Sequence, residues 1–275
     1  MLERFNYTNS YNETLEFGKD CLFVNENDLR NFAWEITSKN NRISGFKKGI
    51  VTKTIPVILK CNTEAEGITL RNRIFEVFEK DILAKQHGKI QIGDYYLRCY
   101  ITESKKTQYL INQSYMVVSL TVTTDLPMWV RETQTTHDMG SVGGTSNNLD
   151  FPYDFSYDFV NPIIRTDVIN ESFVESDFIM TIDGQVSNPT MYIGNHKYCV
   201  NVEVDEGDYL TINSANKTIV LNKANGEKVN CFNKRDKDSY VFKKIPSGTS
   251  AVTSPYDQLR FTLTLLEERS EPKWI

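Results

Sequence analysis

The sequence contains few of the residues from which metal centres and nucleophilic active sites are most often built. Its 275 residues include three histidines, His87, His137 and His196. None of them lies at a metal-binding spacing from a second ligand type, and the HExxH and cysteine–histidine finger patterns are absent. We therefore predict that these histidines are solvated or cap backbone groups and do not bind a metal.

Cysteine is also scarce, and its spacing argues against the usual cysteine sites. The five cysteines are odd in number and widely scattered, without a CxxC pair. They are Cys21, Cys61, Cys99, Cys199 and Cys231. A disulfide framework or a zinc site requires paired or closely spaced cysteines. We expect reduced thiols that pack as small apolar groups.

Long apolar runs and an excess of basic residues are missing as well. No stretch approaches the roughly 20 apolar residues of a membrane span, and MLERFNYTNS lacks the apolar core of a signal peptide. Residues 1–150 contain 18 Lys and Arg against 18 Asp and Glu, and residues 151–275 contain 13 against 18. We expect a protein that folds in a cytoplasm, without a membrane partner and without nucleic acid as its principal partner.

The serine, glycine and carboxylate patterns do not form a catalytic motif. The segment MGSVGGTS has neither the GxSxG nucleophile turn nor the strand and helix that flank a phosphate-binding loop. Asp154 and Asp158 lie about 13 Å apart in an extended chain, which is too far for the carboxylate pair of a retaining glycosidase. We therefore predict no catalytic residue and no enzymatic activity.

Calcium binding is an alternative role for two acidic clusters. One consists of Asp154 and Asp158, and the other of Asp205, Glu206 and Asp208. Neither has the spaced ligand pattern of a dedicated calcium loop, and acidic residues are common in turns for conformational reasons. We predict no metal site, no cofactor-binding residue and no cofactor.

The first half of the chain has the pattern of an α+β domain. Residues 50–60, IVTKTIPVILK, and 116–124, MVVSLTVTT, are rich in β-branched residues and predict strands. In the second of these, Val118, Leu120 and Val122 share one face. KIQIGDYYLRCYIT predicts a hairpin with its turn at Gly93 and Asp94.

One amphipathic helix is predicted from Glu64 to Lys85. Thr63 is its expected N-cap, with Glu66 at the capping-box spacing, and His87-Gly88 is the expected end. Two faces are expected, a polar stripe and a broad apolar face that packs on a sheet. The polar stripe consists of Thr69, Arg73, Glu76 and Lys80, and the apolar face of Ile68, Ile74, Phe75, Val77, Phe78 and Ile82.

The second half has the pattern of an antiparallel β-sandwich without a long helix. Residues 136–150 are rich in Gly, Ser and Asn and predict a flexible connector. We therefore divide the chain into a domain at 1–147 and a domain at 148–275. Turn signals then recur every eight to twelve residues between short alternating segments. They are Asp183-Gly184, Asn188-Pro189, Gly194-Asn195, Glu206-Gly207, Asn213 to Asn216, and Asn225-Gly226.

The stretch FPYDFSYDF, residues 151–159, has an aromatic ring at every second position. In an extended chain this alternation sends all five rings to one face. Such a face can bury a large apolar area, either against its own domain or against a neighbouring subunit.

Several segments, taken in order, resemble the distal tail proteins of siphophages that infect Gram-positive bacteria. RNRIFEVFEKDIL is followed by GDYYLRCYIT, and the Gly- and Ser-rich connector by the aromatic-Asp repeat. TIDGQVSNPTMYIGNHKYCVNVEVDEGDYLTIN, ANGEKVNCF and SYVFKKIPSG follow. The resemblance covers nearly the whole chain.

The resemblance implies a ring-forming first domain and a galectin-like β-sandwich as the second domain. It implies a homohexameric ring around a channel at the tail tip of the virion, after assembly in the host cytoplasm. The implied partners are the tail tube protein, the tail-associated hub or lysin protein, and receptor-binding or baseplate proteins, with DNA only in transit. The implied function is structural, without turnover.

Two other function classes stay open. A carbohydrate-binding host-adsorption module of a tail or tail-like particle is compatible with a β-sandwich rich in tyrosine. His196, Asn195 and Trp274 are not arranged like the residues with which a galectin holds its sugar, so no sugar-binding residue is assigned. A peptidoglycan hydrolase is the enzymatic alternative, which the missing His, Cys and Ser motifs disfavour.

Overall fold

The computed structural model describes residues 4–19, 21–24, 26–109, 114–139, 167–256 and 259–274. Over these residues the chain is built mostly from β-strands, with a single α-helix. It forms two compact units. The first comprises Met1–Arg131 and Glu268–Ile275, and the second comprises Glu132–Glu267. An α+β part followed by an all-β part agrees with the sequence prediction.

The predicted domain boundary between residues 147 and 148 lies outside the described residues and stays a prediction. Most of the predicted connector, 136–150, lies outside them too. Its first three residues belong to a strand that ends at Asp138, so that part of the segment is regular structure. The two units divide between Arg131 and Glu132.

The first unit is an antiparallel arrangement in which one long strand, β8, joins two groups of strands. Its first half pairs with β7 and with the start of β10, and its second half pairs with β9. The strands are β1 (Phe5–Thr8), β2 (Thr14–Phe17), β3 (Leu22–Val24), β4 (Glu35–Lys39), β5 (Arg42–Lys47), β6 (Val51–Lys60), β7 (Gly88–Ile92), β8 (Tyr95–Tyr109), β9 (Tyr115–Thr124) and β10 (Trp129–Asp138). Only the start of β10, up to Arg131, belongs to the first unit. The order β2–β1–β7–β8 continues on the other side as β8–β9–β6–β3.

The strand and hairpin predictions for this unit are confirmed. β6 and β9 pair along their full lengths, and Val118, Leu120 and Val122 are buried. Ile92 pairs with Tyr95 across the two-residue turn. Gly93 has a φ of 56°, which glycine adopts without a steric cost.

The helix α1 spans Glu64–Ala84 and begins as predicted. Thr63 accepts from the backbone N–H of Glu66, and the Glu66 carboxylate accepts from the backbone N–H of Thr63. The helix ends within one residue of the predicted Lys85, but its cap is not the predicted His87-Gly88. Lys85 itself adopts the left-handed conformation, and its N–H donates to the carbonyls of Asp81 and Ile82.

The predicted apolar face of α1 is too broad. Ile74, Val77 and Phe78 are buried in the core of the first unit, as expected. Ile68, Phe75 and Ile82 are exposed instead. At 3.6 residues per turn, these three side chains point roughly 100° away from the centre of the buried face, so they lie beside that face and not in it.

The second unit is a β-sandwich whose two larger antiparallel sheets share one apolar core. The strands are β11 (Asp167–Asn170), β12 (Asp177–Asp183), β13 (Val186–Ser187), β14 (Thr190–Ile193), β15 (His196–Cys199), β16 (Glu203–Val204), β17 (Tyr209–Asn213), β18 (Thr218–Asn222), β19 (Lys228–Asn230), β20 (Gly248–Thr253) and β21 (Arg260–Arg269). One sheet has the order β19–β18–β17–β12–β21, and the other has β11–β20–β14–β15. The core includes Phe178 and Phe261 from the first sheet and Tyr198 and Val252 from the second.

The turn predictions for the second unit are confirmed, since each of the six turn signals lies between two strands or begins at the last residue of a strand. Four of the turns contain a residue at positive φ, which Gly and Asn tolerate best, among them Asn188, Gly194 and Gly226. Beyond Asp150 the described residues contain only a short 3-10 helix, Phe232–Lys234.

Candidate docking surface

The three histidines lie in three different environments. His87 is exposed after the end of α1, and the Nε2 atom of His196 lies 2.9 Å from the carbonyl oxygen of Tyr240. His137 was predicted to be solvated or capping, and this is wrong. It is 0% exposed in β10, with its ring stacked on Phe261 at a centroid distance of 4.8 Å. Its ring therefore serves as a buried aromatic group.

In the cluster of Asp205, Glu206 and Asp208, one carboxylate has a clear structural role. Asp154 and Asp158 lie outside the described residues. Asp208 is buried, and its Oδ1 accepts from the backbone N–H of Ala224 at 2.9 Å. It joins two neighbouring turns of the second unit. Over the part of the chain that the structure describes, no three His, Cys, Asp or Glu side chains come together as metal ligands.

The aromatic repeat 151–159 also lies outside the described residues, so its docking partner stays a prediction. The residues considered for sugar binding are separated between the units. Asn195 lies in the turn between β14 and β15 and His196 begins β15, both in the second unit, whereas Trp274 belongs to the first. The guanidinium of Arg30 lies 3.9 Å from the centre of the Trp274 ring.

Cys21 and Cys61 line an open groove of about 630 Å³ in the first unit. Burial raises the pKa of Cys61 to about 12, so this thiol stays protonated near neutral pH. Four of the five cysteines are buried and all five are free, as predicted. Cys61 is therefore not the activated thiolate that a nucleophilic site would need.

The first unit presents an exposed hairpin that the sequence prediction does not include. Over the described residues, β4 and β5 pair only with each other. Lys39 pairs with Arg42 across Asn40 and Asn41, whose φ values of 51° and 58° fit a type I′ turn. Two successive asparagines between alternating segments were the local signal for this hairpin.

A β-bulge gives this hairpin one continuous apolar face. Ile36 pairs directly with Phe46, and the register shift between Thr37 and Ser38 places Ile43 opposite Ser38. Directly paired residues share a side of the hairpin, so the bulge brings Ile43 to the side of Phe46 although three positions separate them. Ile36, Ile43 and Phe46, each 61% exposed, form what we call the hairpin face.

The opposite side of the hairpin is polar. The Lys47 Nζ atom lies 3.1 Å from the Glu35 carboxylate, and Ser44 Oγ donates to the carbonyl of Thr37 at 3.1 Å. An isolated two-stranded hairpin is only marginally stable in water. An amphipathic hairpin of this kind gains stability when its apolar face is covered.

Two lysines fix the base of the hairpin to the first unit. Lys48 Nζ donates to the carbonyl of Pro127 at 3.1 Å and lies 4.6 Å from the centre of the Trp34 ring. Lys53 is buried and donates to the carbonyls of Asp28 and Asn31. Burial, and secondly the positive charge of Lys53, lower the pKa of Lys48. The hairpin thus projects from a firmly anchored base.

A second exposed apolar surface lies along α1. Ile68, Phe75 and Ile82 recur every seven residues and are 46%, 63% and 38% exposed. Residues at this spacing lie nearly above one another on a helix. We call these three residues the helix stripe. Such a row gives the helix one narrow apolar line on its exposed side.

Comparison with known proteins identifies relatives in structure but not in sequence. No protein-family model matches the chain, and no match was found among curated proteins. A chain of the phage P2 baseplate in its activated conformation with Ca is 12% identical, with a TM-score of 0.66 over 99% of this chain and 100% of that chain. The equivalent baseplate structure with Sr gives 12% identity and a TM-score of 0.64 over 98% and 99% of the two chains.

The Dit protein (gp 19.1) of phage SPP1 is also similar. It is 11% identical, with a TM-score of 0.60 over 96% of this chain and 99% of that chain. SPP1 Dit is described as a paradigm of the hub adsorption apparatus of phages that infect Gram-positive bacteria. The resemblance predicted from the sequence is thus confirmed for the fold: over almost its whole length, this chain has the fold of SPP1 Dit and of a phage P2 baseplate protein.

Proposed function

We propose that this protein is a distal tail protein, a structural component of the baseplate at the tip of a phage tail. The observation that carries the proposal is the completeness of the structural match. It covers 96% to 99% of this chain and 99% to 100% of the baseplate and Dit chains. A match to a common β-sandwich alone would carry little information about function, because one fold hosts many functions. Here the match extends over both units.

The working form is a homohexameric ring. A ring requires two different, complementary surfaces on each copy, so that the contact repeats head to tail until it closes. The hairpin face and the helix stripe are two exposed apolar surfaces of different shape on the same unit. Apolar patches of this kind commonly mark protein–protein contacts.

The remaining partners follow from this role. The ring joins the tail tube protein to the tail-associated hub or lysin protein and to receptor-binding or baseplate proteins. DNA passes through its channel only in transit. Residues 1–150 contain equal numbers of basic and acidic residues, which suits such a channel. Each Lys or Arg that contacts a phosphate would add affinity for the DNA and hold it in the channel.

The second unit is proposed to be the galectin-like domain, and the protein acts without turnover. The support for this assignment is its two-sheet antiparallel sandwich. A carbohydrate-binding role in host adsorption is the alternative. Retention of the full chain on host cell-wall polysaccharide would favour that alternative, and clearing of cell wall in a zymogram would favour an enzyme.

The ring proposal predicts that loss of the hairpin face prevents assembly. The variant with Ile36→Ser and Phe46→Ser should elute as a monomer where the wild type assembles, as measured by light scattering on a sizing column. Both side chains are exposed, so their replacement should change the stability of the monomer by less than about 0.5 kcal/mol.

A matched control makes the same two substitutions elsewhere. Ile169→Ser with Phe173→Ser removes an exposed isoleucine and an exposed phenylalanine from the second unit. This control should assemble like the wild type. If the hairpin variant assembles as well as the wild type, the hairpin face is not part of the ring contact.

A further inference from the structure

We propose that Cys21 and Cys61 form a dithiol site, which an external disulfide oxidises to an intramolecular disulfide bond. The two thiols hydrogen-bond each other, and both residues line the open groove of the first unit. The structure described above holds the pair in its reduced form. Both sulfurs belong to one copy of the chain, so their chemistry does not depend on assembly.

The backbone brings the two cysteines within the range of a disulfide. β3 begins at Leu22 and β6 ends at Lys60, so each cysteine lies one residue outside the two paired strands. The Lys60 N–H donates to the Cys21 carbonyl at 2.9 Å, which continues the pairing as far as Cys21. With strands about 4.8 Å apart and a rise of about 3.3 Å per residue, we expect the Cα atoms of Cys21 and Cys61 about 6 Å apart. Disulfides usually join Cα atoms that are about 4.4 to 6.8 Å apart.

The other three cysteines are buried and lie in other surroundings. Cys199 Sγ accepts from Thr190 Oγ1 at 3.2 Å, and Cys231 Sγ donates to a backbone carbonyl at 3.6 Å. Cys99 is 1% exposed in the core of the first unit. Cys21 is only partly buried and lines the groove. An external disulfide therefore reaches the Cys21 sulfur first.

The reaction is a thiol–disulfide exchange in two steps. The Cys21 thiolate attacks one sulfur of an oxidant such as glutathione disulfide, so that a mixed disulfide forms and one glutathione leaves. Cys61 then loses its proton and attacks the Cys21 sulfur, which forms the internal disulfide and releases the second glutathione. Each departing glutathione takes up a proton, and two electrons pass from the protein thiols to the oxidant. Burial, and secondly the hydrogen bond to Cys21, raise the pKa of Cys61 to about 12, so the second step is the slower one.

The disulfide would join the start of β3 to the segment between β6 and α1. It would close a loop of about 40 residues that contains the β4–β5 hairpin, and such a crosslink restricts the unfolded chain. Its biological use rests on the function proposed above. A tail-tip protein is made in a reducing cytoplasm and acts outside the cell, where disulfides persist. The dithiol would let the chain fold and assemble in the reduced form and become locked after release.

Oxidation of the full chain with glutathione disulfide tests the site. The number of free thiols, measured with a thiol reagent in denaturant, should fall from five to three because two are consumed. Peptide mapping should find the Cys21 peptide joined to the Cys61 peptide, and dithiothreitol should restore all five thiols. In urea, monitored by tryptophan fluorescence, the unfolding equilibrium constant of the oxidised form should be at least about thirtyfold lower than that of the reduced form.

Single variants separate the roles of the two sulfurs. Cys61→Ser should stop at the mixed disulfide and keep one glutathione on Cys21. Cys21→Ser should leave the buried Cys61 unreacted. Cys231→Ala is the matched control, because Cys231 is a buried cysteine of the second unit, and it should form the same disulfide as the wild type. Tryptophan fluorescence should show that all three variants fold.

The dithiol site is wrong if all five thiols stay free after oxidation, if the wild type keeps a glutathione adduct that never closes, or if another pair of cysteines forms the disulfide. None of these results would contradict the ring, because the ring contact does not use these sulfurs. Conversely, a wild-type monomer that forms the Cys21–Cys61 disulfide would contradict the proposed ring and support the dithiol site.

Discussion

Replacement of Asp81 by alanine should lower the free energy of unfolding of the first unit by about 3 kcal/mol. Asp81 is 0% exposed on the inner side of α1. Its Oδ2 accepts from the Tyr7 hydroxyl at 2.5 Å, and its Oδ1 accepts from the backbone N–H of Ser10 at 2.8 Å and from Ser10 Oγ at 2.7 Å. Truncation leaves these three donors without their acceptor in a packed region.

The surroundings of Asp81 allow little relaxation. Burial, and secondly the hydrogen bond to Asp81, raise the pKa of Tyr7 well above its usual value, so the hydroxyl remains a donor. A Cβ atom added at Gly88 would lie 2.6 Å from Asp81 Oδ2. The carboxylate thus connects β1, α1 and the start of β7, and a shift of one element would disturb the other two.

Tryptophan fluorescence during urea unfolding measures this effect selectively. The three tryptophans, Trp34, Trp129 and Trp274, all belong to the first unit. Glu79→Ala is the control, because Glu79 is an exposed carboxylate on the same helix, and it should change stability by less than about 0.5 kcal/mol. If Asp81→Ala also changed the free energy of unfolding by less than about 0.5 kcal/mol, this would contradict the role assigned to the buried carboxylate.

Replacement of Asn170 by alanine should destabilise the second unit by about 3 kcal/mol and leave the first unit unchanged. The Asn170 side chain is 1% exposed in β11. Its Nδ2 donates to the carbonyls of Ile245 at 3.0 Å and Pro246 at 3.2 Å, and its Oδ1 accepts from the N–H of Ser172 and from Ser176 Oγ. One amide therefore satisfies backbone groups of two loops.

Asn170→Asp is the more demanding variant, because it keeps the shape but replaces the donor with an acceptor. A carboxylate oxygen would then face the carbonyls of Ile245 and Pro246, so the loss should be at least as large as for alanine. Calorimetry should show the transition of the second unit at a lower temperature, while the tryptophan transition stays in place. If both variants unfold like the wild type, Asn170 is not needed for the stability of the second unit.

The elements predictable from the sequence are those that local chemistry determines. Thr63 and Glu66 form the capping box because the two residues alone can satisfy each other's backbone donors. The Gly93 turn and the turns of the second unit follow from residues that tolerate positive φ. These signals require no knowledge of the tertiary structure.

The candidate docking surface depends on features that the sequence pattern conceals. The bulge in β5 breaks the period of two, so Ile43 and Phe46 do not look like residues of one face. The helix stripe looks like part of the buried face, because burial in a core and docking on a partner both select apolar residues. His137 lies in a stretch with little apolar content, and only its contact with Phe261 reveals it as buried.

Images of the purified wild-type protein test most directly whether this chain assembles as the proposed six-fold ring. Negative-stain class averages, taken from the sizing-column peak of highest mass, should show six-fold symmetry and a central hole. The mass of that peak should be about 190 kDa, six copies of the 31.7 kDa chain. Compact monomers at all concentrations, or open filaments without closure, would contradict the proposed ring.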